Sequence, residues 1–110
     1  MRKLPWQSIK TSAVYKKTTL TGSKFLTPFF IAFHLKSSIN KPLLGIIASK
    51  KVGCAVKRNR TKRLLRASFS STMNDINGLI VLIARHNLLN AKYVDLNLWM
   101  QKAIKHFKAL

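Results

Sequence analysis

Acidic side chains are nearly missing from this chain: Asp75 and Asp95 stand alone against 21 lysines and arginines. A protein nuclease of the two-metal type needs several clustered carboxylates, and two isolated ones do not supply them. Cysteine is as scarce. The single Cys54 has no partner for an internal disulfide, which fits a reducing compartment. One cysteine and scattered histidines also lack the ligand spacing of a zinc site. His34, His86 and His106 fall on three different expected elements, which disfavours a metal-free His-His-Lys nuclease. Long apolar runs are missing too. None approaches the roughly 20 residues needed to span a bilayer, and the longest, Leu79 to Ala84, reads as a buried strand. No apolar signal-peptide core follows the basic start from Met1 to Trp6. A cytoplasmic location is expected. There is no internal repeat and no low-complexity tract.

What the chain does have is a core and a large charge of one sign. Its 110 residues suit one domain. At 47% hydrophobic it can bury a real core, unlike a disordered basic tail. The formal charge of +19 works against a compact monomer through self-repulsion. A polyanionic partner resolves that conflict. Nucleic acid leads and an anionic membrane surface comes second. Displacing condensed counterions from phosphates makes such binding steeply salt-dependent.

Along the chain, residues 1–8 read as a flexible basic leader to a single domain over 1–110. Ile9 to about Lys17 forms a short helix, weakened by Thr11, Thr18 and Thr19 and broken at Thr21-Gly22-Ser23. Phe25 to Leu35 is a strand that Pro28 starts late or places at an edge. Lys36 to Pro42 is a turn and Leu43 to Ser49 a second hairpin strand. Ala55 to about Ser71 is a helix and Asn74 to Gly78 a loop. Leu79 to Arg85 is a strand covered on both faces. Asp95 to His106 carries Leu96, Met100, Ala103, Ile104 and Phe107 at helical spacing, with Asp95 as its N-cap. The fold class is α+β: an α/β sandwich with a central, mostly antiparallel sheet and three helices, ordered α-β-β-β-α-β-α. The third early strand is not located by pattern.

The stretch from Ser49 to Phe69 carries the function. On a helical wheel with Arg58 at 0°, Lys62, Arg66, Asn59, Arg63 and Arg60 fall between about 40° and 200°. Leu64, Ser68, Thr61, Leu65 and Phe69 fill about 240° round to 20°. One side docks on the sheet and the other is cationic. An ordinary solvated face mixes signs and is held by i,i+4 ion pairs, whereas this one has no acid to pair with. Arginine's planar fork matches phosphate, and Asn59 offers a nucleotide both a donor and an acceptor. Cys54 has basic neighbours able to lower its pKa, but small-residue packing at the helix start is its expected role.

Lys50-Lys51, Arg58-Asn59-Arg60, Lys62-Arg63 and Arg66 resemble, without a gap, the signature helix of the protein subunit of bacterial ribonuclease P. Leu44-Gly45-Ile46 precedes them as the family's strand does, and Leu79 to Arg85 resembles its last strand. Tyr15, Gly22, Phe30 and Phe33 fall at family-like spacings, so the resemblance covers about residues 9–108. It implies a small partner of a large catalytic RNA. The pair would remove the 5′ leader from precursor tRNA by phosphodiester hydrolysis. The RNA would supply the Mg²⁺-dependent active site. The protein would be a non-catalytic subunit that holds no cofactor tightly, binds the leader and stabilises the RNA.

The resemblance also implies a left-handed β-α-β crossover, against the rule that about 98% are right-handed. Residue by residue, it implies that Lys50, Lys51, Arg58, Asn59, Arg60, Lys62, Arg63 and Arg66 meet the RNA. Tyr15, Phe30 and Phe33 would line the leader cleft. Phe30 reads equally as a core residue, while for Phe33 and Tyr15 the cleft is the favoured reading. The sequence departs from the family at Thr18 and Thr19, where an apolar and an aromatic residue are common, and at Leu43, a position often basic. No membrane and no obligatory protein partner are expected. The alternative is a structural RNA-binding protein such as a ribosomal protein.

Overall fold

The computed structural model describes residues 6–37, 42–72 and 76–110. Its most apolar strand lies at the centre. β5 (Leu79–Ala84) is flanked by β4 (Leu43–Ile47) and β3 (Phe30–Leu35). The sheet order is β1-β4-β5-β3-β2, with β1 at Gln7–Ser8 and β2 at Ser23–Leu26. β4 and β3 therefore do not form the expected hairpin across the turn after Lys36. β5 inserts between them, because a strand without polar positions is stable only when both edges and both faces are covered. β5 pairs parallel to β4 and antiparallel to β3. β1 pairs parallel to β4, and β2 antiparallel to β3, so the sheet is evenly mixed rather than mostly antiparallel. The parallel β4–β5 pair follows from its connection, since α2 (Ala55–Thr72) carries the chain back to the start of the next strand.

α1 (Ser12–Thr21) starts later than periodicity indicates. Ile9 is still in the sheet, its N–H donating to the Leu44 carbonyl at 2.9 Å. Thr11 then caps the helix by accepting from the Val14 N–H. The threonines do not end it. Thr18, Thr19 and Thr21 donate their hydroxyls to the carbonyls of Val14, Tyr15 and Lys17, the back-bonded arrangement a helix tolerates. Phe25 to Leu35 is two strands, not one. Thr27-Pro28-Phe29-Phe30 is a turn in which the Thr27 N–H meets the Phe30 carbonyl at 3.0 Å. The Phe30 N–H donates to the Thr27 hydroxyl at 2.9 Å. Pro28 occupies the turn position its fixed φ favours. Asp95 is not the N-cap of α3 (Tyr93–Lys108). Lys92 holds that position, and Asp95 sits in the exposed first turn, where its charge suits the helix dipole.

The leader expected over residues 1–8 is structured where it is described, with residues 1–5 outside that range. Trp6 is 5% exposed and belongs to the core, and Gln7–Ser8 forms β1. The core fills one side of the sheet. Phe30, Ala32, Leu44, Ile80, Leu82 and Ala84 meet Leu65 and Phe69 of α2 and Leu96, Met100, Ile104 and Phe107 of α3. Burying each large apolar side chain there stabilises the fold by about 1.5–3 kcal/mol. Phe30→Ala should therefore cost about 3–5 kcal/mol by cavity formation. Phe33→Ala, at a half-buried position on the other sheet face, should cost less than half as much. Urea midpoints of the two variants check the assignment of faces.

Candidate nucleic-acid interface

α2 separates its two chemistries as its sequence requires. Thr61, Leu65, Ser68 and Phe69 are buried. The buried hydroxyls are satisfied: Thr61 donates to the Arg58 carbonyl at 2.7 Å, and Ser68 to Asn97 Oδ1 of α3 at 2.6 Å. Asn59, Arg60, Arg63 and Arg66 are exposed, while Arg58 and Lys62 are half-exposed. Lys50 and Lys51 are exposed on a short 3₁₀ turn, Lys50–Val52, capped by Ser49. Among the described residues none of these cations is ion-paired to an acid. The whole predicted set lies on the path from β4 into α2, held open towards a polyanion.

Gly53 makes the bend into α2 at φ +135°, a conformation L side chains rarely adopt. Cys54 follows, exposed, and serves as more than a small packing residue. Its thiol pKa is lowered, first by the nearby Lys57 backbone N–H, then by the Val56 N–H and the Lys57 charge, with desolvation opposing. The start of the helix thus favours the thiolate.

The opposite face of the sheet is built differently. Strand alternation puts Gly45, Val81, Phe33 and Lys24 in one cross-strand row. Tyr15 of α1 lies on Gly45: a Cβ added there would sit 2.4 Å from the tyrosine ring. The next row joins Ile47, Ile83, Ile31 and Leu26. The three isoleucines are half-buried and Leu26 is 57% exposed. Lys24 Nζ stands 5.9 Å from the Phe33 ring centroid, within cation–π reach. Tyr15 and Phe33 thus share one open, apolar face edged by a cation.

Phe30 does not join them. It is 0% exposed and points into the core between the sheet and the helices. Three residues is an odd step, and odd steps along a strand change face. Alternation also locates what motif spacing missed, namely Lys24, Leu26, Ile31, Ile47 and Ile83. Thr18 is fully buried and Thr19 half-buried, so α1 lays small side chains rather than a stacking surface at those positions.

The two surfaces meet around the β4 edge, in a cavity of about 210 Å³ bordered by Tyr15, Lys62, Arg66, Trp6 and Ser8. The histidines meet only in part. His34 and His106 both contact the Phe107 ring, at 5.2 and 5.6 Å between centroids. His34 is buried with Nε2 2.6 Å from the Asn77 carbonyl oxygen, a structural bond, and His86 is exposed on the loop after β5. Asp95 stands exposed on α3, and Asp75 lies outside the described residues. Among the described residues, no three His, Cys, Asp or Glu side chains gather into a possible metal site, and no helix is long and apolar enough to cross a membrane.

The sequence and the fold have close relatives. The family model for ribonuclease P matches residues 5–108. The ribonuclease P protein component of a Nitratiruptor species is 33% identical over 103 residues, covering 93% of both chains. The chain belongs to the ribonuclease P protein family. The ribonuclease P protein component of Clostridium kluyveri is 35% identical over 101 residues, covering 88% of this chain and 90% of its own. A Staphylococcus aureus RNase P protein mutant with defective mRNA degradation activity superposes with a TM-score of 0.81 at 26% identity, over 92% of this chain and 87% of that one. The Thermotoga maritima RNase P protein superposes with a TM-score of 0.78 at 19% identity, over 91% and 96%, which speaks to the fold alone.

Membership makes this chain a protein subunit of ribonuclease P, the ribonucleoprotein endonuclease that cleaves precursor-tRNA leaders. Its partner is the ribonuclease P RNA, and a general structural RNA-binding role is not favoured. Two tests of the interface follow. Arg58→Ala or Arg60→Ala should weaken RNA association and reduce the slope of log K against log salt by about one unit per lost phosphate contact; a slope unchanged in both variants removes them from the interface. For Cys54, the thiolate is favoured in the native chain. Alkylation by iodoacetamide should therefore persist to lower pH in folded protein than in urea-unfolded protein, and coincident pH profiles would refute the lowered pKa.

Proposed function

We propose that the protein binds the single-stranded 5′ leader of precursor tRNA across the open sheet face while α2 lies against the ribonuclease P RNA. The cavity where Tyr15 meets Lys62 and Arg66 carries this reading. It joins an aromatic, apolar surface to a cationic one around the β1–β4 side of the sheet, so one strand of nucleic acid can use both. Tyr15 and Phe33 offer faces on which bases stack, at about 1–3 kcal/mol per base and with little sequence preference. Lys24, beside Phe33, and the α2 cations offer phosphate contacts at the two ends of that path. Lys50, Lys51, Arg58, Asn59, Arg60 and Arg63 are assigned to the RNA subunit, on the strength of their exposure and lack of acidic partners.

Catalysis belongs to the RNA in this reading. The protein contributes binding energy and lowers repulsion between leader, tRNA and ribozyme, each of them polyanionic. The Mg²⁺ that the reaction uses is held by the RNA, with no ion held tightly by the protein. The holoenzyme works in the cytoplasm.

Cleavage of precursor tRNA at physiological salt and low Mg²⁺ tests the reading, with protein alone, a bacterial ribonuclease P RNA alone, and both together. Only the mixture should cleave efficiently, at the mature 5′ end. In that mixture Phe33→Ala should weaken binding of leader-bearing substrate and leave leaderless tRNA unaffected. Equal losses for both substrates would refute the cleft.

A further inference from the structure

The segment before α1 is built into the interface in a way the family motif does not account for. Trp6 comes from the start of the described chain, yet it is 5% exposed and packs against α2. Its ring meets Phe69 edge-on, with centroids 6.5 Å apart and planes at 74°. Its indole N–H donates to the Ser70 hydroxyl at 2.8 Å, a bond between residues 64 apart in sequence. The following residues are tied to the sheet instead. The Gln7 N–H donates to the Pro42 carbonyl at 3.0 Å and the Ile9 N–H to the Leu44 carbonyl at 2.9 Å. The segment is thus a strap, with one end bonded to the later turns of α2 and the other to the β4 edge. Between those attachments it borders the cavity where Tyr15, Lys62 and Arg66 meet.

We propose that Trp6 is a positioning residue for the RNA interface. Wedged between the β4 edge and α2, it sets the separation of Lys62 and Arg66 from Tyr15 and so tunes affinity for single-stranded leader, without meeting RNA itself. This rests on the leader-binding reading above. α2 repels itself along its cationic face. Lys62 stands two turns, and Arg66 one turn, before the Ser70 anchor, on the same helix. A small rotation of α2 would therefore move both cations relative to Tyr15, and lost pre-organisation appears as lost affinity.

Trp6→Phe and Ser70→Ala each remove the hydrogen bond; Trp6→Phe also leaves part of the indole's volume empty, a loss that Tm reports. Each full-length variant is assembled with ribonuclease P RNA. The measurements are Tm of the protein, affinity for the RNA, and affinity for precursor tRNA with and without its leader. Each variant should weaken leader-bearing substrate about three- to tenfold, with leaderless tRNA and RNA assembly within about twofold of the parent. The double variant should be no worse than either single one, because both lose the same bond, and Ser70→Thr, which keeps the acceptor, should restore binding. Equal weakening of both substrates, no weakening of either, or additive losses would overturn the proposal. Phe33→Ala is the reference. If it discriminates by leader and the Trp6 and Ser70 variants do not, the positioning role fails and the cleft stands. If it does not discriminate either, the leader-binding reading itself fails.

Discussion

α2 carries a row of like charges three and four residues apart, and each such pair costs a few tenths of a kcal/mol. No acid on the helix relieves them. What holds the helix is its narrow uncharged side. Leu65 and Phe69 are fully buried, and the hydroxyls of Thr61 and Ser68 are bonded within the protein. A leucine and a phenylalanine removed from water outweigh several such repulsions. The rest of the fold serves that docking: α3 lies alongside with Asn97 receiving the Ser68 hydroxyl, the sheet supplies Leu44, Ile80 and Leu82 beneath, and Trp6 closes the β4 side. Tertiary burial thus keeps a self-repelling cationic surface extended in the absence of RNA, ready for a polyanion that removes the repulsion.

Strand alternation imposes the second constraint. It divides the sheet residues between a dry side under α2 and α3 and an open side under α1. On the dry side Phe30 is inaccessible, while on the open side Phe33 and the isoleucine row stay partly in contact with solvent. An apolar face left half-open in a protein of this charge is a feature expected of a binding surface. A cavity bordered by residues of both surfaces connects it to the cationic helix. Membership of the ribonuclease P protein family accounts for the RNA partner, and in the proposed reading the geometry would let so small a chain contact two polynucleotides at once.

Much of this was legible in the residues. The charge, the scarcity of acids and the wheel from Arg58 to Phe69 located the cationic helix and its docking side correctly, because a helix's face follows from spacing alone. The apolar run from Leu79 to Ala84 was a strand covered on both faces for a similar reason: nothing in it suits water. Alternation within one strand also held the information that Phe30 and Phe33 face opposite ways, although family-like spacing obscured it.

Other features depended on partners distant in sequence. Pro28 and Thr27 make a turn because β2 and β3 pair with each other. β5 separates β3 from β4, although those two follow each other in sequence. Trp6, with no local pattern around it, enters the core because Phe69 and Ser70 lie across the β4 edge. His34 and His106, on separate elements, meet at Phe107 through packing of α3 on the sheet. Composition and periodicity determined which residues carry exposed charge and which seek a core, since those are properties of the chain's own chemistry and repeat. Which strands neighbour each other, where the chain's start is anchored, and how Tyr15 comes to stand beside Lys62 and Arg66 were decided only by the tertiary structure. Those depend on contacts between residues far apart in the chain, on which local spacing has no bearing.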